Sequence, residues 1–322
     1  MASISELATG FTDKIREGGW LSKIFLPLIA VIVIGSALYY PVGMALTHSI
    51  DDDASFQAEV PDGASRAAGV AAALIDREVN THRWTANDPF FLPGAALDNM
   101  PNFQQGMVSA LSRFAIEMSD QIGRTRGSSQ VDVDLDKAAG LLKYSGTVWV
   151  FDFSTSLAPT ATSEAQYRAA MKALRSYNER LATGEAVFER RADNLQATLE
   201  RIAADLGSSS AVIERHVADH AGGFIDLAAD DIFYRTKGRI YGYYLLLRDL
   251  GFDFANVLQE KSLESSWSQL MHSLQAGAEL QPFVVANGGT EGQIVPNHLL
   301  NQGFYLLRAR TQLKEVSNIL LK

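Results

Sequence analysis

His216 and His220, in the stretch ERHVADH, stand four residues apart, so on a helix both imidazoles project from one face and could reach a single metal ion. Glu214 and Asp219 add carboxylates beside them. The pattern is not the HExxH of zinc hydrolases, because no glutamate follows the first histidine. Two ligands alone do not make a site, so the pair is a metal candidate without a complete ligand set. His220 also falls on the otherwise apolar line Ile213, Val217, His220, Phe224, which predicts a hydrogen-bonded histidine in the interior. His48, His82, His272 and His298 show no ligand spacing.

A second cluster is Asp226, Asp230 and Asp231, followed by Arg235, Lys237 and Arg239. It reads either as an acid/base set or as a solvated helix face with pairs such as Asp231–Arg235. The adjoining GRIYGYYLLLRDLG, residues 238–251, predicts a buried helix whose tyrosine hydroxyls reach polar partners. No GxGxxG, Walker A, GxSxG or HExxH pattern occurs. The chain has no cysteine, which removes thiolate catalysis, disulfides and cysteine-held metals. No catalytic residue, metal or cofactor is assigned. Enzymatic activity stays open, and the residues point toward binding more than toward catalysis.

The third candidate is HRWTANDPFFLPGAALDNMPNFQQGM, residues 82–107. Pro89, Pro93 and Pro101 stiffen its path and push the residues before them away from helix. Trp84, Phe90, Phe91 and Phe103 are costly to leave in water. Two readings follow: a packed plug at the membrane-proximal end, or an interaction or ligand surface built from Trp84, Asn87, Asp88, Phe90, Phe91, Asn99 and Asn102.

These residues need elements to hold them. From Ile24 to Ile50 there is no Asp, Glu, Lys or Arg. As a helix, the apolar part from Ile24 to Leu46 spans roughly 35 Å, enough to cross a bilayer. Trp20 before it and Tyr39 and Tyr40 near its far end suit the two interfaces. Lys14, Arg16 and Lys23 precede the span, whereas Asp51, Asp52, Asp53 and Glu59 come before the next basic residue, Arg66. The expected orientation is therefore N-terminus cytoplasmic and the bulk periplasmic, at a bacterial inner membrane. A cleaved signal peptide is the alternative, with Gly43 and Ala45 as its small residues, but the apolar stretch exceeds an ordinary h-region. The expected organisation is a cytoplasmic segment 1–23, an anchor 24–46, an acidic tether 47–63 and a periplasmic helical domain 64–322. The formal charge of −9 lies wholly after residue 23, and an acidic body argues against nucleic acid as a partner.

Within the domain, Ser65 is a helix cap, and Phe103, Met107, Leu111, Phe114, Met118 and Ile122 form one amphipathic stripe. VWVFDF, residues 148–153, reads as a strand. A heptad seam runs from Tyr167 through Met171, Leu174, Asn178, Leu181, Glu185, Phe188, Ala192, Leu195, Leu199 and Ile202 to Leu206. It predicts a helix of about 40 residues, capped by Ser163, weakened at Gly184 and stopped at Gly207 and three serines. Residues 211–250 would fold back on it as a hairpin. A last helix carries Leu299, Leu306, Ala309, Leu313, Val316 and Leu320 on one face. The expected fold is mostly α: a transmembrane helix, then a helical-bundle ectodomain with a long coiled-coil-like hairpin.

Three separated stretches, WTANDPFF…LDNMPNFQQGM, YRAAMKALRSYNERLATGEAVFERRADNLQATLERIAADLGS and NHLLNQGFYLLRARTQLKEVSNILLK, together resemble an uncharacterised family of proteobacterial inner-membrane proteins, a domain of unknown function. The resemblance implies a single N-terminal anchor and a helical periplasmic body, and carries no catalytic residues. The functional expectation is a membrane-anchored scaffold or adaptor with an envelope protein partner or self-association. The alternative is a lipid or small-molecule binding module, and a metal-dependent hydrolase using His216 and Asp219 ranks behind both.

Overall fold

A computed structural model describes residues 20–123, 131–151, 157–220, 222, 226–289 and 295–322. Among them there are ten α-helices and no strand, so the protein is a helical bundle preceded by an apolar helix. That first helix, α1, covers Trp20–Thr47. Over Pro27–Thr47 its mean hydropathy is 2.0 and none of it is buried in the protein, so it is long and apolar enough to cross a membrane.

α2 (Arg66–Asp76) starts where Ser65 accepts a 3.1 Å hydrogen bond from the Ala68 amide, as its position predicts. α3 (Asn99–Glu117) ends in a π turn, and all six residues of its apolar stripe are fully buried. α4 (Val133–Leu142) is capped by Asp132 and α5 (Ser163–Ala182) by Thr162, one residue before the expected Ser163. α6 (Ala192–His220) and α7 (Leu227–Asp253) follow, the latter capped by Asp226. α8 (Ala255–Glu260) and α9 (Glu264–Ala278) lead to α10 (His298–Leu320), whose predicted face is buried throughout.

α7 is the central helix. It meets α3 so closely that a Cβ on Gly106 would lie 1.9 Å from the Arg235 carbonyl oxygen, and one on Gly238 would lie 2.0 Å from that of Phe103. Glycine alone fits there, because the backbones themselves are in contact. α2 packs between α5 and α7, α4 bridges α3 and α5, and α6 lies along α10.

The single long seam is overturned. The helix stops at Ala182, Gly184 takes φ +79°, and a new helix starts at Ala192. Glycine at that dihedral lets the amides of Gly184 and Glu185 return to the carbonyls of Leu181 and Arg180, which closes the first helix. The two halves of the seam then find different partners: Tyr167 to Leu181 face α2 and α4, whereas Leu195 to Leu206 face α10. The expected stop at Gly207 also fails. Ser208 and Ser210 donate to the carbonyls of Asp205 and Leu206, so the serines bond within the helix, and α6 runs on to His220. Residues 211–220 thus continue the helix instead of folding back, and α10 takes the role of the antiparallel neighbour.

VWVFDF does not form a strand in its described part, 148–151, and residues 152 and 153 lie outside the described residues. The Ser163 and Thr160 amides donate to the carbonyls of Val148 and Val150, so the segment folds onto its own following loop and no second strand is offered.

The segment after α1 is clamped, not loose. Lys237, 1% exposed in the middle of α7, donates to Asp52 at 2.5 Å and to the Leu280 carbonyl at 2.6 Å. Burial pushes this ammonium's pKa down, and Asp52 opposes the shift. Arg77 contacts Asp51 at 3.2 Å, and Arg248 donates to the carbonyls of Ala54 and Phe56. Removing one member of a buried pair strands the other charge. Asp52→Asn should therefore lower unfolding stability by about 3 kcal/mol. The paired change Asp52→Leu with Lys237→Met should cost clearly less, a difference that chemical denaturation of the two variants reads directly.

Candidate functional site

Loop 82–98 divides into a buried root and an exposed tip. At the root, Trp84 is 1% exposed, donates from Nε1 to the Gly146 carbonyl at 2.8 Å and stands edge-on to Tyr167. Asn87 donates to the Val148 carbonyl and to Glu164, both at 2.8 Å. The backbone amide and hydroxyl of Thr85 both donate to Gln104, which donates to buried Glu78 at 3.0 Å. Glu78 is paired with Arg77 at 2.9 Å, and Arg77 donates to Tyr241. One hydrogen-bonded chain thus joins the segment after α1, α2, the loop, α3 and α7. Asp88 accepts from Arg83 at 2.8 Å, while its Oδ2, packed beside Gly94, has no hydrogen-bond partner among the described residues. Burial raises this carboxyl above its usual range, against the Arg83 contact.

The tip is apolar and outward-facing. Phe90 is 83% exposed and Phe91 46%. Phe90, Phe91, Trp149 and Phe151 form a row of edge-to-face rings with centroids 5.5–5.6 Å apart. The row adjoins the end of α1: the Tyr39 hydroxyl donates to the Phe91 carbonyl at 3.0 Å, Tyr40 donates to that of Phe90, and Gly43 packs against Pro93. Trp149 and Phe151 were hidden from a sequence reading because alternate aromatics are what a strand presents.

Asn99 and Asn102 lie apart from the tip, at the start of α3 against the first turns of α7. Asn102 donates to Asp231 at 2.7 Å and accepts from Arg235 at 3.0 Å, so the expected Asp231–Arg235 pair is bridged by this amide. Asp230 sits among Asp98 and Asp231, and burial followed by those two charges pushes its carboxyl up to about 6, against a hydrogen bond from Asn99. The seven candidate residues therefore do not form one site: Trp84, Asn87 and Asp88 are the root, Phe90 and Phe91 the tip, and Asn99 and Asn102 a separate polar contact.

The histidines exchange their expected roles. His220 is exposed at the end of α6, whereas His216 is the enclosed one. Its Nε2 lies 2.7 Å from Asp226, which also accepts from Asn287 at 2.8 Å. Although burial pushes the Asp226 carboxyl up, Asn287, His216 and the Ala229 amide together hold it below its usual range. The rings of His216 and His220 stack at 4.6 Å. Asp226, not Asp219, is the carboxylate at His216, and no group of three metal-ligating side chains occurs among the described residues.

The family model described as an uncharacterized protein conserved in bacteria (DUF2333) matches residues 16–222 and 225–322, so the chain belongs to this bacterial family. No curated protein and no solved structure matches the chain.

Asp230 generates a pH prediction. Its folded-state pKa is about 6, above the 3.8 of an unfolded carboxyl, so the folded state holds the proton more tightly. Its contribution to stability is fully present below about pH 3.8 and lost as pH rises through about 6. Asp230→Asn should leave the unfolding midpoint unchanged at pH 4 and raise it at pH 7.5, checked by thermal unfolding at both values.

Proposed function

We propose that this chain is a single-pass membrane protein of the bacterial cell envelope, N-terminus cytoplasmic, whose helical domain is mounted on the periplasmic face of the inner membrane as a scaffold or adaptor. The observation that carries the reading is the seat at the end of α1: Tyr39 and Tyr40 bonded to a tip whose phenylalanines face outward. In water those rings lose the benefit of burial, whereas at the headgroup level of a bilayer aromatic rings are favoured. Clamping of residues 51–56 leaves the domain no slack, so tip and helix end share one level.

For a scaffold, the partner must use a surface other than the heptad positions of residues 163–206, which are buried except at Glu185 and Ala192, beside the break between the two helices. α10 offers one. Leu300, Phe304 and Leu307 stand on its outer face, exposed by 39%, 58% and 58%. This stripe supports a protein partner or a second copy.

The absence of cysteine makes single-cysteine variants clean reporters. In intact cells, an impermeant maleimide should label Glu214→Cys and leave Phe90→Cys largely unlabelled until detergent is added. Photo-crosslinking from position 304 in the full-length protein should trap a discrete adduct that the added changes Leu300→Ser and Leu307→Ser abolish. Equal labelling of both cysteines would overturn the seat, and a crosslinker at 304 that yields no adduct would overturn the scaffold.

A further inference from the structure

The α3–α7 contact leaves a cleft of about 490 Å³ beside it, lined by Ser109, Ser112 and Arg113 of α3, Lys143 after α4, Asp205 of α6 and Arg235 of α7. Arg239 supports it from beneath, donating to Ser209 at 2.8 Å and Ser109 at 3.1 Å, with its Nε 3.6 Å from Asp205. Asp205 is thereby committed, because it also accepts from the Tyr243 hydroxyl at 2.8 Å. The remaining cations make no ion pair within 4 Å among the described residues: Arg235 donates to the amide oxygen of Asn102 with Asp231 beyond it, and Glu117 is the carboxylate whose charge Arg113 feels. Three cations thus line the cleft, with Arg239 behind them, beside one occupied carboxylate in a chain whose formal charge is −9.

Arg113, Lys143 and Arg235 are all exposed, so their charges open to solvent and are within reach of an incoming anion. Partial burial, and then repulsion from Arg239, pulls the Arg235 pKa down, against the Asp231 charge. Guanidinium groups match phosphate oxygens with paired N–H donors, and an ammonium adds a point charge. Ser109 accepts from Arg239, which leaves its own O–H to donate, and Ser112 supplies a second hydroxyl. Tyr144, Tyr167 and Val108 give the rest of the wall an apolar face. We propose that this cleft is a binding site for a phosphate-bearing ligand, with Arg113, Arg235 and Lys143 as its primary contacts and Ser109 and Ser112 as hydrogen-bond donors.

Two sources offer that chemistry: a soluble phosphorylated compound, or the headgroup of a phospholipid. The second has a route, since the stretch that lines the cleft at Tyr144 and Gly146 continues to Trp149 in the aromatic row. The site itself does not depend on the membrane reading, because a soluble phosphate probe needs no bilayer.

The test is calorimetric titration of full-length protein in phosphate-free maltoside micelles at 150 mM NaCl, which screens loose surface attraction. One arm uses inorganic pyrophosphate, the other dihexanoyl phosphatidylglycerol below its micelle concentration. Saturable one-to-one binding is expected in at least one arm, and which arm responds identifies the source. Arg113→Gln with Arg235→Gln should weaken it at least about tenfold, the loss expected for charged hydrogen bonds. If that double variant does not fold, Lys143→Gln, on an exposed side chain, decides the matter through a several-fold loss. No saturable binding in either arm, or binding unchanged in the folded variants, overturns the proposal.

Discussion

Two cations inside a helical core impose the constraint on which the rest depends. Arg77 and Lys237 are nearly inaccessible to water, and an ionised side chain cannot stay there without partners. Glu78 supplies one partner for Arg77 from the same helix turn, but Asp51 and Asp52 come from the segment that follows the apolar helix. The core therefore closes only when that segment is docked. Docking it fixes where α1 leaves the bundle, and hence that Tyr39, Tyr40 and Gly43 meet the loop at Phe90, Phe91 and Pro93. A charge requirement deep in α7 thus sets the position of an apolar surface outside it.

The glycines of α3 and α7 act in a complementary way. Backbone contact at Gly106 and Gly238 brings the polar faces of the two helices level, so Ser109 faces Arg239 and Asn102 faces Arg235. The same approach places Asn102 between Asp231 and Arg235, so the two meet through its amide. Close packing and a cleft lined by three cations are two results of one geometry.

Much of this architecture was legible in the sequence. The stripes ending at Ile122 and Leu320 were readable because each is buried along its whole length, so periodicity and burial agree. The seam from Tyr167 to Leu206 misled for the opposite reason: its two halves keep heptad spacing while serving different partners, and spacing carries no record of which helix a residue faces. Asn178, legible as a polar seam position, in fact exchanges hydrogen bonds with the Ser65 backbone, 113 residues earlier. Residues 51–53 looked like a solvated acidic linker because their partners, Arg77 and Lys237, lie on helices far along the chain. The aromatic row was half visible, its second half masked by a strand-like alternation at Trp149 and Phe151. The long apolar helix needed only local composition and could be read directly.

The contact between Ser65 and Asp253 spans 188 residues, and the same carboxylate accepts from the Arg66 and Ala67 amides at the start of α2. During synthesis at about 5–20 residues per second, that acceptor emerges roughly ten to forty seconds after the helix it caps. Throughout that interval the small-residue face of α2 and the charge of Arg77 have no home, and no N-terminal fragment ending before α7 contains the parts of a closed core. The chain must therefore fold late and as one unit, with its N-terminal helices waiting on a residue near the end of α7.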